Sequence, residues 1–179
     1  MRRLLPALAL PIALLCFPVG AAGSPARTAH STPAAQLRAY DKQLFAEVNR
    51  ARKQAGLKPY LQSDRLYRMA LKWAHHIVAT RSLQHNPATD SVKAFRSASG
   101  CTNATTAGEN TGAQGTQNSQ QLFQLYMSDP AHRDNIMSPK YNAPKVPGYT
   151  DVGIATVAVP NGDGTASQIN VMDFANHCG

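Results

Sequence analysis

Acidic residues are scarce in this chain. It holds 10 Asp and Glu against 18 Lys and Arg, which gives a formal net charge of +8 at pH 7. Only two of the acids are glutamates, Glu47 and Glu109. No Gly-x-Ser-x-Gly or His-Glu-x-x-His sequence is present, so neither a nucleophile elbow nor a helix-borne zinc site is indicated. Glu47 falls within a helical pattern, which leaves Glu109 as the more informative glutamate.

Aromatic residues are also few, at 7% of the chain with a single Trp. Single-stranded nucleic acids are bound on aromatic stacking platforms, and no basic stretch here interleaves with such residues. We therefore expect no nucleic-acid partner. The basic residues instead favour a solvated face, or alternatively a contact with an anionic surface such as lipid or cell-wall polymer. The cluster in question is Arg50, Arg52, Lys53, Lys58, Arg65, Arg68 and Lys72.

One long apolar run occurs, from Leu4 to Val19, and it follows Arg2 and Arg3. Small residues follow it at 20–22. The run is short and interrupted by proline, so it is typical of a secretory signal peptide at 1–22 rather than a membrane span. Residues 23–32 are rich in Ser, Ala, Pro and Thr, which predicts a flexible arm. We expect a secreted or periplasmic monomer with one domain at 33–179.

Cysteine is limited to three residues, of which Cys101 and Cys178 lie outside the predicted signal peptide. An even pair in an oxidising, exported compartment favours a Cys101–Cys178 disulfide. The alternative is two independent thiols.

Helical periodicity and strand patterns together predict an α+β fold, because helices come first and a hairpin last. The predicted helices are 33–55, 64–80 and 118–129, the last burying Leu122, Leu125 and Tyr126. The predicted strands are 102–106, 152–159 and 168–174, and the rest of 88–118 is expected to be loop.

The stretch from Asp129 to Pro139 predicts one short, capped helix. Asp129 is a good N-cap and Pro130 suits the first helical position. His132 then lies in the first turn, where the helix dipole disfavours a charged imidazole. A neutral histidine can ligate a metal or accept a proton. The alternative is a capped turn whose histidine only forms hydrogen bonds.

Several short motifs occur in a recognisable order: Gly56-Leu57, His85, Gly108-Glu109-Asn110, Tyr126-Met127, His132-Arg133 and Val152-Gly153-Ile154. In this order the chain resembles bacterial members of the CAP superfamily, the cysteine-rich secretory, antigen 5 and pathogenesis-related 1 proteins that share the SCP domain. The resemblance covers about residues 40–175. It implies a three-layer α-β-α sandwich with a central, mostly antiparallel sheet and a central cleft.

The resemblance also implies a histidine and glutamate site in that cleft, which in some members binds zinc through the histidines. Its members fall on His85, Glu109 and His132, with His85 and His132 as the metal ligands. A glutamate on the third helix of many relatives has no counterpart here. Asp129 lies nearest that place and is a candidate for a cofactor-binding carboxylate; the alternative is that it only caps the helix. The spacings of 24 and 23 residues follow no local metal motif.

The function implied by the resemblance is binding of a lipid-like or cell-envelope ligand. The first alternative is a metal-assisted hydrolase that uses His85, His132 and Glu109. The second is a basic adhesion or defence-related module without cleft chemistry.

Overall fold

The computed structural model describes residues 33–115, 118–138, 148–161 and 166–178. Within them the helices are α1 (Pro33–Gln54), α2 (Asp64–Thr80), α3 (Val92–Ser99), α4 (Ser119–Ser128) and α5 (Pro130–Ile136), with a 3₁₀ turn at Pro87–Asp90. The strands are β1 (Leu61–Gln62), β2 (Ala107–Gln114), β3 (Asp151–Pro160) and β4 (Ala166–Ala175). The predicted signal peptide and arm lie outside the described residues. Among those residues, no helix is long and apolar enough to cross a membrane.

The four strands form one mixed sheet in the order β1-β3-β4-β2. β1 runs parallel to β3, whereas β3–β4 and β4–β2 are antiparallel. Side chains alternate between the two faces of a sheet. Val152 and Phe174 pack with α1, α4 and α5 on one face, while Ala155 and Val171 pack with α2 on the other. The predicted α+β sandwich with a mostly antiparallel sheet is therefore confirmed.

Local capping explains where the helices begin. The side chains of Ser63, Ser91, Asn118 and Asp129 each accept a hydrogen bond from a backbone N–H of the helix that follows. These bonds satisfy donors that have no partner inside the helix. The predicted cap at Asp129 is thus confirmed.

Two parts of the expected secondary structure were wrong. The strand expected at 102–106 is a turn, and the strand β2 begins at Ala107, so Glu109 lies in the sheet rather than in a loop. The helix α3 lies where loop was expected, between the N-cap Ser91 and the left-handed Gly100. In α4, Leu125 is 55% exposed and Phe123 is buried in its place.

The Cys101–Cys178 disulfide is formed, as expected. Both cysteines are buried, and they pack with Leu66 and Phe95 in a small cluster beneath α2 and α3. The bridge therefore ties the loop after α3 to the end of the chain. Such a bond persists in an oxidising compartment.

Arg52 was expected to contribute to a basic surface, and this was wrong, because its side chain is 2% exposed. Its Nε atom donates to the carbonyl of Lys58, and its Nη1 atom donates to the carbonyls of Ile136 and Ser138 at 2.8 and 2.6 Å. The guanidinium also lies 3.5 Å over the Tyr60 ring. Arg52 thus fixes the end of α5 to α1. The other six cations of the cluster are exposed, and their contact with an anionic surface stays a prediction.

Arg52→Met should lower the free energy of unfolding by about 2–3 kcal/mol, because it keeps an apolar stem but leaves buried carbonyls without a donor. Urea unfolding measures the loss. Arg50→Met is the matched control, because Arg50 is exposed and forms only a surface salt bridge with Glu47. Such a salt bridge contributes at most about 1 kcal/mol to the free energy of unfolding. Equal losses in the two variants would contradict the role given to Arg52.

Candidate functional site

The site is organised by β2, which lies at the edge of the described sheet. Glu109 pairs with Asp173 on β4, and Asp173 pairs in turn with Gly153 on β3. A Cβ on Gly153 would overlap the backbone of Leu66 and Tyr67 in α2. The side chains of Glu109 and Asp173 therefore lie on the face of the sheet that α2 covers. The neighbouring residue Asn110 faces the opposite layer.

The Glu109 carboxylate holds the His85 imidazole at the surface. Its Oε1 atom lies 2.9 Å from His85 Nδ1 and accepts the Asn86 N–H, also at 2.9 Å. The His85 side chain is 59% exposed, whereas that of Glu109 is 1% exposed. A carboxylate bonded to Nδ1 fixes the ring orientation and leaves Nε2 directed away from it. The loop after α2 and the strand β2 together thus present one fixed, accessible imidazole.

Asp173 is a member of this site that sequence reasoning missed. It is fully buried opposite Glu109, and its oxygens have no donor among the described residues while both groups are ionised. One proton resolves this, because a neutral Asp173 donates to the Glu109 carboxylate. Burial, followed by the charge of Glu109, raises the pKa of Asp173 well above its ordinary value. A lone carboxyl within the apolar strand around it was the available signal.

Burial also raises the pKa of Glu109, and the bonds from Asn86 and His85 oppose that rise. We assign the shared proton to Asp173, because that carboxyl is the more deeply buried and lacks those donors. The pair then carries one negative charge, which faces His85. Two carboxyls in one buried site behave in this way because both cannot ionise at low cost.

Asp173→Asn should make stability depend less on pH. An acid whose pKa is raised in the folded state contributes stability below its unfolded pKa, and this stability is lost as pH rises towards the folded pKa. The variant keeps a donor to Glu109 but cannot titrate, so its unfolding free energy should fall less between pH 5 and 8. Urea unfolding across that range measures this, with exposed Asp90 replaced by Asn as the control. Parallel curves for wild type and Asp173→Asn would contradict the shared proton.

His132 reaches the same edge from the other side of the sheet. Asn110 donates to the His132 carbonyl at 3.0 Å, and Asn135 of α5 donates to the Glu109 carbonyl and to Asn110. These amide bonds fasten the short α5 helix to β2. The His132 ring also packs against Tyr126 with centroids 5.1 Å apart. His85 and His132 therefore approach the β2 edge from opposite layers.

Partial burial lowers the pKa of His132, and the charge of His85 lowers it further, while Asp129 opposes both effects. The lowered pKa favours the neutral form of His132 at pH 7, and the contribution of the helix dipole stays a prediction. Asp129 caps α5 by accepting the His132 N–H at 3.0 Å, and the same carboxylate lies 3.3 Å from the imidazole Nδ1. A further role of Asp129 in binding stays a prediction.

Comparison with known proteins identifies the fold. The sequence model of the CAP family, described as the cysteine-rich secretory protein family, matches residues 45–144, which is more than half of the chain. The chain belongs to the CAP family. No curated protein sequence matches it.

Three solved bacterial structures resemble the CAP domain described above. An extracellular SCP-domain protein of Bacillus anthracis has a TM-score of 0.62 at 16% identity, and the match covers 82% of this chain and 44% of that one. For a cysteine-rich secretory protein of Staphylococcus aureus the TM-score is 0.57 at 17% identity, with coverages of 82% and 42%. For an outer surface protein of Borrelia burgdorferi the values are 0.58 and 15%, with coverages of 78% and 94%. At these identities the likeness shows the fold alone.

The residues of this CAP domain fit a zinc ion only incompletely. Neither imidazole Nε2 atom has a hydrogen-bond partner among the described residues, so two nitrogen ligands are conceivable. Catalytic zinc usually has three protein ligands. In the part of the chain that the structure describes, no group of three His, Cys, Asp or Glu side chains could hold a metal. We therefore derive no step through a metal, and zinc binding by His85 and His132 stays a prediction.

Proposed function

We propose that this CAP domain is an exported binding protein that takes the polar group of a lipid-like or cell-envelope ligand between His85 and His132. The observation that carries the proposal is the exposed His85 imidazole bonded to a buried carboxylate. Burying a carboxylate costs free energy, so such a group points to a functional site more often than to a stabilising one. The relatives that are extracellular or outer surface proteins support export.

Each imidazole offers a ligand one ring nitrogen. His132 is neutral, so a ring nitrogen can accept a hydrogen bond. His85 has its Nδ1 atom bonded to Glu109, so its Nε2 atom is the one directed to a ligand. The Nδ1 atom of each ring faces a carboxylate, so in the neutral rings each Nε2 atom accepts a hydrogen bond. Together they suit a polar group with hydroxyl donors, such as the terminal glycerol of a phosphoglycerol head group.

A retention experiment tests this function. The purified protein is incubated with vesicles of phosphatidylglycerol and phosphatidylethanolamine, separated from them, and extracted for mass spectrometry. Wild type should retain lipid, and His85→Ala and His132→Ala should each retain at least about fivefold less, as expected for a lost hydrogen bond of about 1 kcal/mol. His75→Ala is the matched control, because His75 is an exposed histidine on α2. Equal retention by all four proteins would rule the site out.

A metal-assisted hydrolase is the second candidate, and the His85–Glu109 bond favours it, because a carboxylate that orients an imidazole is a common arrangement in general acid–base catalysis. A bound zinc would supply a polarised water. Calorimetric titration with zinc tests this candidate. The hydrolase candidate predicts saturable zinc binding that is lost in the His85→Ala/His132→Ala double variant. An unchanged zinc affinity in that variant would exclude a metal site at these histidines.

A further inference from the structure

An apolar cavity lies on the same face of the sheet as Glu109, at the C-terminal end of α2. Its volume is about 360 Å³, within the range of small-molecule pockets. Apart from Arg81 its lining is apolar, and it includes Ile77, Leu83, Ala113 and Ile169. Leu83 is 53% exposed, so its side chain is accessible to a ligand.

This apolar pocket is connected to the histidine site by the strand β2. Glu109 and Ala113 are four residues apart and point to the same face, so they lie about 13 Å from each other along the strand. Leu83 and His85 lie in the same loop after α2. A single ligand of ordinary length can therefore contact both places.

Among the described residues, Arg81 is the one cation that lines the pocket, and its backbone conformation is unusual. It ends α2 in the left-handed conformation, with φ of 54°. That conformation costs a non-glycine residue free energy, and glycine is the residue best suited to it. The Arg81 side chain makes no hydrogen bond or ion pair within the described residues. Its charge is thus available at the edge of an apolar pocket.

A larger groove, lined by Gln114, Gln124 and Leu125 among others, lies along the outer surface of α4. Most of its lining side chains are amides, and an alkyl chain lying there would displace water from polar groups. No amide side chain of the described residues lines the pocket at Arg81. It is the better match for an alkyl chain.

We propose that the pocket takes one alkyl chain of an anionic amphiphile, with Arg81 pairing the phosphate or carboxylate next to the chain. This proposal rests on the proposed function, because it places the tail of the same ligand whose polar group lies between His85 and His132. The pocket supplies apolar burial, and Arg81 supplies charge selectivity.

Calorimetric titration with decanoate and with uncharged decanol tests the pocket. Leu83→Gln should lower the affinity for both decanoate and decanol by about tenfold, because it removes apolar contact area. Arg81→Gly should lower the affinity for decanoate by about threefold and leave the affinity for decanol unchanged. The effect on decanoate is small because an exposed ion pair contributes little. The same variant should unfold at an equal or higher urea concentration, because glycine relieves the backbone. Arg68→Ala, an exposed cation on α2, is the control.

The outcomes separate this proposal from the function on which it rests. Equal decanoate affinity in wild type, Leu83→Gln and Arg81→Gly would overturn the pocket. Lipid retention that depends on His85, together with no saturable decanoate binding, would also overturn the pocket while the proposed function stands. Decanoate binding that depends on Leu83 and Arg81, with retention unaffected by His85→Ala, would support the pocket and remove the role of the histidines.

Discussion

Removal of the disulfide by the Cys101→Ala/Cys178→Ala double substitution should lower the free energy of unfolding by about 4–5 kcal/mol. The bridge joins residues separated by 77 positions, and closing so long a loop restricts the unfolded chain strongly. Because domains of this size are stable by about 5–15 kcal/mol, the variant should lose a large share of its stability. Urea unfolding of both proteins, with and without reductant, measures the difference.

The reductant serves as the internal control for this prediction. It should destabilise the wild type and leave the double variant unchanged, since the variant has no bond to reduce. Both sulfurs are buried beneath α2 and α3, so reduction needs partial unfolding and should be slow without denaturant. A double variant within about 1 kcal/mol of wild type would show that the bridge does not constrain the unfolded chain as the loop-entropy account requires.

Gly153→Ala should lower the free energy of unfolding by about 4 kcal/mol, more than the usual cost of overpacking, because the obstacle is backbone. A Cβ at Gly153 would overlap Leu66 and Tyr67 where α2 crosses the sheet. The atoms that this Cβ would meet belong to the backbone of α2 and cannot rotate away, so α2 as a whole must shift. Since Gly153 pairs directly with Asp173 across the strands, the shift should also disturb the Asp173–Glu109 carboxyl pair next to His85.

Gly115→Ala is the matched control for Gly153→Ala, because a Cβ there meets nothing within 4 Å. It should change stability by less than about 0.5 kcal/mol, as for other surface substitutions. Urea unfolding compares the two variants, and the shape of the native near-ultraviolet spectrum reports whether α2 packing has changed. Similar small effects at both glycines would contradict the close approach of α2 to β3.

Sequence reasoning succeeded where structure is specified locally. The helices α1, α2 and α4 have apolar periodicity and recognisable caps, and the terminal hairpin has two apolar strands around a turn. The strand β2 was missed because its sequence, Ala-Gly-Glu-Asn-Thr-Gly-Ala-Gln, has one β-branched residue. It is a strand because it pairs along its whole length with β4, and such tertiary context overrides propensity.

The site was predictable only through the resemblance, and only in part. His85, Glu109 and His132 come from a loop, a strand and a helix, so no spacing in the sequence brings them together. The structure places His85 against Glu109, and it brings His132 to the same edge of β2 from the opposite layer. For Asp173 the only signal was a lone carboxyl in an apolar strand. Its pairing with Glu109 could not be inferred, because it depends on a cross-strand register that distant residues decide.

The proposed ligand site is tested most directly by imidazole NMR. Dihexanoyl phosphatidylglycerol is titrated into ¹⁵N-labelled protein while the ring nitrogens of His85, His132 and His75 are followed. The ring signals of His85 and His132 should shift together along one saturable curve, and those of His75 should stay in place. Shifts of equal size at all three histidines, or none at His85 and His132, would contradict a ligand site at the β2 edge.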